Sequence, residues 1–196
     1  MKSRLLYLNL AIDSEDTSLG FAIGWLKEVS KIYDEIDVIT LRKGTVPNLP
    51  DNVNIYGLNS HKNKLSKYFY LHKTAKNLIN TNKYEKCFSH MSPISLFVLT
   101  SQLKRKNIET TLWFTHPGPG FGIKKLILYI TTKMTKNVIT ASSTSFPFMS
   151  EKVSIIGHAI DLSSFKNQKY NHQFKNFLIL SRISKSKNLE VSIDAF

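Results

Sequence analysis

The stretch Thr110 to Gly120, TTLWFTHPGPG, constrains the fold more than any other part of the chain. Its first half joins β-branched and aromatic residues, which fit a pleated surface. Its apolar residues Leu112, Trp113 and Phe114 are consecutive rather than alternate, the pattern of a strand buried on both faces of a parallel sheet. Pro117, Gly118, Pro119 and Gly120 then forbid any regular element. His116 is thereby delivered at the carboxyl end of a central strand. In open α/β sheets, ligands bind in the crevice beyond those ends. A histidine that merely caps its strand is the competing reading, and one ring in one loop does not decide between them.

The rest of the chain supplies the context. Arg4 to Ala11 reads as a first strand, and Asp13 to Gly20 as a polar loop. Asp16, Thr17 and Ser18 can each cap the helix that follows. Phe21, Trp25, Val29 and Ile32 recur at helical spacing as its buried stripe. Asp37–Thr40 and Val53–Leu58 are the next strands, separated by the turn-forming run Val46 to Asn52. His61 to Asn80 predicts a surface helix with Phe69 and Leu71 toward the sheet and its lysines in water. The same mixture of aromatics and lysines also suits an anionic membrane surface. Tyr84 to Ser89 is a strand ending at His90. Pro93 opens a helix that closes on Lys104, Arg105 and Lys106, cations that complement its dipole. After the Thr110–Thr115 strand come a helix over Gly122–Lys136, a strand over Asn137–Ala141, a turn over Ser142–Phe148 and a strand over Lys152–Gly157. Strands alternating with helices specify an α/β fold, a doubly wound parallel sheet of Rossmann-like type. Right-handed crossovers put all strand ends on one edge. His90, His116, Ser142 and His158 then lie at or near that edge.

Composition bounds the partners. The 196 residues carry a formal charge of +13 and a pI near 9.7, so the surface attracts polyanions or anionic headgroups. A lysine-biased solvated surface explains the same number without a ligand. Cys87 is the single cysteine. It excludes an intramolecular disulfide and reads as a small buried hydrophobe. The amino-terminal run MKSRLLYLNLAID is interrupted by Asn9 and followed at once by acidic residues, so it reads as a strand and not a signal peptide. Nowhere do about 18 uninterrupted apolar residues occur, which excludes a helical membrane span in this sequence. No paired metal-ligand spacing, Walker loop, GxSxG elbow or GxGxxG fingerprint is present. No metal is expected, and no RNA or DNA motif appears.

The end of the chain adds a motif. Ile155-Ile156-Gly157-His158-Ala159-Ile160-Asp161 precedes a polar stretch from Lys166 to Lys175. Asn176 to Phe196 then reads NFLILSRISKSKNLEVSIDAF. This resembles the domain junction of glycosyltransferase family four, the retaining sugar transferases of GT-B fold. There a strand ends in a His-Gly-Val/Ile-Asp-like tetrapeptide and a linker follows. A Gly-Arg then has a lysine five residues after the arginine, and a helix ends Ala-Phe. Arg182 and Lys187 keep that spacing, and Ala195-Phe196 close it. Ser181, Asn188 and Ala159 stand where the family has glycine.

The resemblance implies a two-domain enzyme with this chain as its N-terminal lobe: residues 1–165 an acceptor-binding domain, 166–175 a linker, and 176–196 the first strand and helix of an incomplete nucleotide-sugar-binding domain. It implies transfer of a sugar, with retention, from a nucleotide-diphosphate sugar to a glycan or lipid-linked acceptor, with no metal and no cofactor beyond that co-substrate. Arg182 and Lys187 would hold the leaving diphosphate, where positive charge stabilises the transition state. His116 would be the catalytic imidazole near the reacting carbon, and the backbone at Gly20 would approach acceptor or phosphate. His158 and Asp161 would shape the hinge. The family's donor-binding remainder, including its paired glutamates, does not follow Phe196, so a fragment inactive by itself is expected. A cytoplasmic protein, peripheral on the inner face of the membrane, fits lipid-linked acceptors. The alternative from another class is a non-catalytic basic α/β module that binds a membrane surface or nucleic acid; with the transferase reading, no nucleic-acid partner is expected.

Overall fold

A computed structural model describes residues 3–59, 63–118, 120, 122–159, 178–181 and 183–195. The chain divides into two compact units, Met1–Ile160 and Asp161–Phe196. The first is built on one seven-stranded sheet: β1 (Arg4–Asn9), β2 (Glu35–Thr40), β3 (Val53–Gly57), β4 (Lys86–His90), β5 (Glu109–Trp113), β6 (Asn137–Thr140) and β7 (Val153–Ile155). Their spatial order is β3-β2-β1-β4-β5-β6-β7, with every neighbouring pair parallel. This is the doubly wound Rossmann-like sheet that the alternation of elements predicts.

The described residues of this unit form four α-helices: α1 (Ala22–Val29), α2 (Lys64–Thr81), α3 (Pro93–Arg105) and α4 (Ile123–Met134). Side-chain alternation along the strands decides which helix covers which face. Leu6, Leu8, Cys87, Leu112 and Val138 point to one face and pack with Leu71 and Ala75 of α2, Leu99 and Leu103 of α3 and Leu128 of α4. Leu5, Tyr7, Ile36 and Val38 point to the other, where Ile23 and Leu26 of α1 meet them. Cys87 is fully buried, as expected of a small hydrophobe, and burial pushes its thiol pKa up. The β2–β3 and β6–β7 connections contain no helix, in keeping with the turns read at Val46–Asn52 and Ser142–Phe148.

Among the described residues, one carboxylate is buried within the sheet. Asp37 of β2 accepts hydrogen bonds from Tyr84 Oη at 2.5 Å, Asn54 Nδ2 at 3.2 Å, Tyr56 Oη at 3.3 Å and Arg4 Nη1 at 3.5 Å. A buried charge needs such a set of donors. Arg4 also pairs with Glu35, so β1, β2, β3 and the approach to β4 are tied together by polar contacts as well as by the ladder.

Two helix faces differ from the sequence expectation. α1 starts at Ala22, and its buried residues are Ala22, Ile23 and Leu26; Phe21 and Ile32 are exposed. The reason lies in Asp16, whose Oδ1 accepts from the backbone N–H groups of Ser18 and Leu19. It closes a tight turn ahead of the helix and does not cap the helix itself. On α2, Leu71 is buried as expected, whereas Phe69 is 65% exposed and Leu65 85% exposed.

In the second unit, the described residues form a 3-10 turn over Lys185–Lys187 and a short helix, α5 (Leu189–Asp194). Asn188 joins them in the left-handed region, φ 47°. Residues 178–180, expected as a strand, have no assigned regular structure. Among the described helices, none is long and apolar enough to cross a membrane.

Candidate active site

The chain leaves β1 toward β2 on one side and returns to β4 on the other. The β1–β4 boundary is therefore the topological switch point, where a crevice opens at the carboxyl edge of such a sheet. Asn9 ends β1 and His90 ends β4, and the two are register partners. Trp113, the last residue of β5, is the next partner in the same row. All three side chains point to the α1 face and are fully buried. Trp25 of α1 lies over them, its ring 5.1 Å from His90 and 4.9 Å from Trp113. Phe21 meets the His90 ring edge-on at 5.4 Å.

His90 sits in an apolar setting. Its Nδ1 is 3.4 Å from Asn9 Oδ1, and burial lowers its pKa from the usual 6.5 to about 4, so the ring is neutral near pH 7. The next residue, Met91, has φ 53°, an uncommon conformation for a non-glycine residue and one that clusters at functional sites. It is held there by a bond from its own N–H to Trp113 O at 2.8 Å, and its Sδ accepts from Thr115 N–H at 3.3 Å.

His116 lies three residues beyond β5, exposed, in a loop fixed at two points. Its backbone N–H donates to Ser145 O at 2.7 Å, which joins the loops after β5 and β6. Its Nδ1 accepts from Gly118 N–H at 3.0 Å. With Nδ1 so occupied, the neutral ring carries its proton on Nε2. Gly118 must be glycine: its φ is +91°, and an added Cβ would lie 2.8 Å from Pro147 Cγ. Ser142 and Ser145 join side chains at 2.6 Å in the adjacent loop.

Gly20 closes the loop after β1. An added Cβ would meet Asp16 O at 2.8 Å and Ser14 O at 3.1 Å, so packing of that turn is sufficient reason for a glycine. Beside it lies a concavity of about 460 Å³ lined by Asp13, Glu15, Asp16, Ser18 and Arg42. Asp16 is held below the usual carboxylate range by the Ser18 and Leu19 N–H groups and by Arg42, with which it forms an ion pair. Carboxylates accept from hydroxyls and repel phosphates, so this loop is better matched to hydroxyl groups than to phosphate.

His158 is exposed and meets Trp113 edge-on at 6.3 Å. Ala159 O, next to it, accepts from Trp25 Nε1 at 3.4 Å. Thus Phe21, Trp25, His90, Trp113 and His158 form one aromatic group, with His116 in the neighbouring loop. Lys187 belongs to the second unit, in the 3-10 turn before α5. Arg182 and Asp161 lie outside the described residues. The sequence reading placed His90 and His158 at this edge but missed Asn9, which it took only as a break in an apolar run. The signal for Asn9 is its place: a polar side chain at the last position of a strand buried on both faces. No three or more His, Cys, Asp or Glu side chains among the described residues group as metal ligands.

No protein-family model and no curated protein matches the chain. Solved structures do. Anabaena HepE in complex with UDP superposes with a TM-score of 0.56 at 13% identity, over 85% of this chain and 47% of HepE. A UDP-N-acetylglucosamine 2-epimerase gives 0.53 at 14%, over 88% of this chain and 53% of the epimerase. The 2-epimerase of Neisseria meningitidis bound to UDP-GlcNAc gives 0.50 at 10%, over 78% and 45%. The chain thus has the fold of the Rossmann-like lobe of GT-B enzymes. It spans about half the length of the structures it matches.

Proposed function

We propose that this chain is the acceptor-binding lobe of a nucleotide-sugar glycosyltransferase of family-four type, transferring a hexosyl or related residue with retention and without a metal. The observation that carries the reading is His116. It is an exposed imidazole on a loop pinned at Ser145, with Nδ1 taken by Gly118 and the Nε2 proton free for a ligand oxygen. In transfer, the bond from the anomeric carbon to the diphosphate breaks, a bond to an acceptor hydroxyl oxygen forms, and the hydroxyl proton passes to the departing diphosphate oxygen. A donor at Nε2 polarises or orients an oxygen at that carbon. The acid-lined loop ending at Gly20 orders acceptor hydroxyls, while Arg182 and Lys187 stabilise the leaving diphosphate. His158 and Asp161 serve the hinge, and residues 166–175 the linker.

A lipid-linked acceptor is the preferred class, and the exposed side chains favour it. Leu65 and Phe69 share α2 with the exposed Lys73, and Ile123, 74% exposed, and Leu126 share α4 with the exposed Lys124. Apolar side chains rimmed by lysine suit an anionic membrane surface on the cytoplasmic side. The test is product analysis with the protein carrying its second lobe. UDP-sugar incubated with lipid-linked and free glycan acceptors should yield a glycoside of unchanged anomeric configuration, resistant to EDTA. Conversion of the UDP-sugar to its 2-epimer, with no glycoside formed, would replace transfer by epimerisation as the activity.

A further inference from the structure

Four buried polar atoms on one sheet face have no hydrogen-bond partner: Tyr7 Oη, Asn9 Nδ2, His90 Nε2 and Trp113 Nε1. Three come from the single row Asn9–His90–Trp113 across β1, β4 and β5. Tyr7 is one step back along β1 on the same face, its ring 6.4 Å from His90. Buried polar groups in folded proteins are nearly always paired. Orphans concentrated at the end of a switch point, beside a left-handed Met91, mark a place where a partner is supplied from outside.

The donor and acceptor set can be read atom by atom. Ala11 N–H donates to Asn9 Oδ1 at 3.4 Å, which identifies that atom as the carboxamide oxygen. The facing His90 Nδ1 must then carry the ring proton, and Nε2 presents a lone pair. Trp113 Nε1 and Asn9 Nδ2 are donors, and Tyr7 Oη is either. Burial keeps the imidazole uncharged and pushes the Tyr7 phenol pKa up, so the row holds no charge. Aromatic faces surround it: Trp25 and Phe21 above, Phe88 beside Tyr7 at 5.2 Å.

We propose that the Asn9–His90–Trp113 row is a seat for a neutral sugar ring, the acceptor's own, with His90 Nε2 accepting from one of its hydroxyls and Trp113 Nε1 donating to another. A set of uncharged donors and acceptors between aromatic rings matches an uncharged ring with hydroxyls on its rim and C–H groups on its faces. A phosphate would find no cation there. Phe21 and Trp25 roof the seat. Phe21 is half exposed, and both are carried by the first turn and flank of an eight-residue helix without a side-chain cap. Outward rotation of these two rings opens the row. The choice of a sugar rests on the nucleotide-sugar reading above; the existence of a seat does not.

The chain reports on itself, because both of its tryptophans, Trp25 and Trp113, are at the seat. Methyl α-D-glucopyranoside titrated into the full 196-residue chain should change tryptophan emission saturably. The dissociation constant should be on the order of 1 mM, as ordinary ligand efficiency gives for about thirteen non-hydrogen atoms. His90→Phe should weaken this at least tenfold. A second readout needs no buried substitution. Of the two indole N–H resonances, that of Trp113 should shift with glycoside. That of Trp25, bonded to Ala159 O while the roof is closed, should move as well when its ring swings out; Trp25→Phe assigns the pair. An emission response of equal strength in folded His90→Phe, no saturable response, or a shift confined to Trp25 would overturn the proposal. Loss of sugar transfer in the two-lobed protein with this titration intact would overturn the proposed function alone.

Discussion

His90 makes its own pH dependence. Burial holds its folded-state pKa near 4, against 6.5 when exposed. Between those values the unfolded chain binds a proton that the folded chain refuses, so stability rises with pH and falls as pH drops from 6.5 toward 4. At pH 4.5 the unfolded ring is protonated and the folded ring mostly is not. Two units at 1.36 kcal/mol each give a loss of about 2.5 kcal/mol relative to pH 7. Of the rings that meet His90 directly, Tyr7, Phe21 and Trp25, Tyr7 is the one that titrates, and that phenol stays neutral throughout. His90→Phe removes the titration and the orphaned Nε2, whose burial costs about 1–3 kcal/mol, against a long Nδ1 contact to Asn9 worth about 1 kcal/mol or less. The variant should be as stable as the wild type at pH 7 or up to about 2 kcal/mol more so. Urea melts of both proteins at pH 7.0 and 4.5 test this. Other carboxylates also weaken the fold on acidification, but equally in both, so the difference isolates His90. Parallel pH profiles, or a variant that loses about 2 kcal/mol or more at pH 7, would refute a neutral, under-satisfied His90.

Further outcomes follow from the same packing. Asp37→Ala removes the acceptor of four donors and leaves Arg4 and Tyr84 short of a buried partner; denaturant melts should show a loss of about 3–5 kcal/mol, and Asp37→Asn a smaller one. Gly118→Ala forces a side chain into a left-handed residue against Pro147; a local cost of about 1–3 kcal/mol should appear as loss of the His116 Nδ1 contact in imidazole nitrogen shifts, with little change in global stability. Cys87 is buried with its thiol pKa raised, so a thiol reagent should modify it only at the rate of unfolding and rapidly in urea.

How far the sequence could be read depended on what decided each element. β5 was legible because Leu112 and Trp113 are apolar on both faces, and that pattern has one cause. The start of α1 was not, since Asp16 serves a tight turn as well as it serves a helix cap, and only the geometry at Ser18 and Leu19 tells which. Phe69 was expected inward because aromatic residues usually are, yet Leu71, Ala75 and Ile79 fill that face of α2 and leave it outside. At the carboxyl edge, the histidines could be placed by topology. The row that links Asn9, His90 and Trp113 depends on strand register, which no single strand encodes. His116 could be named from its loop, but its tautomer depends on the Gly118 N–H.

The most direct measurement is kcat/KM for sugar transfer by the two-lobed protein with His116→Ala beside His158→Ala. The account predicts a fall of about 100-fold or more at His116, the scale of a lost acid–base or positioning group, and a change of less than about tenfold at His158. Equal rates in wild type and His116→Ala, or the larger loss at His158, would contradict it.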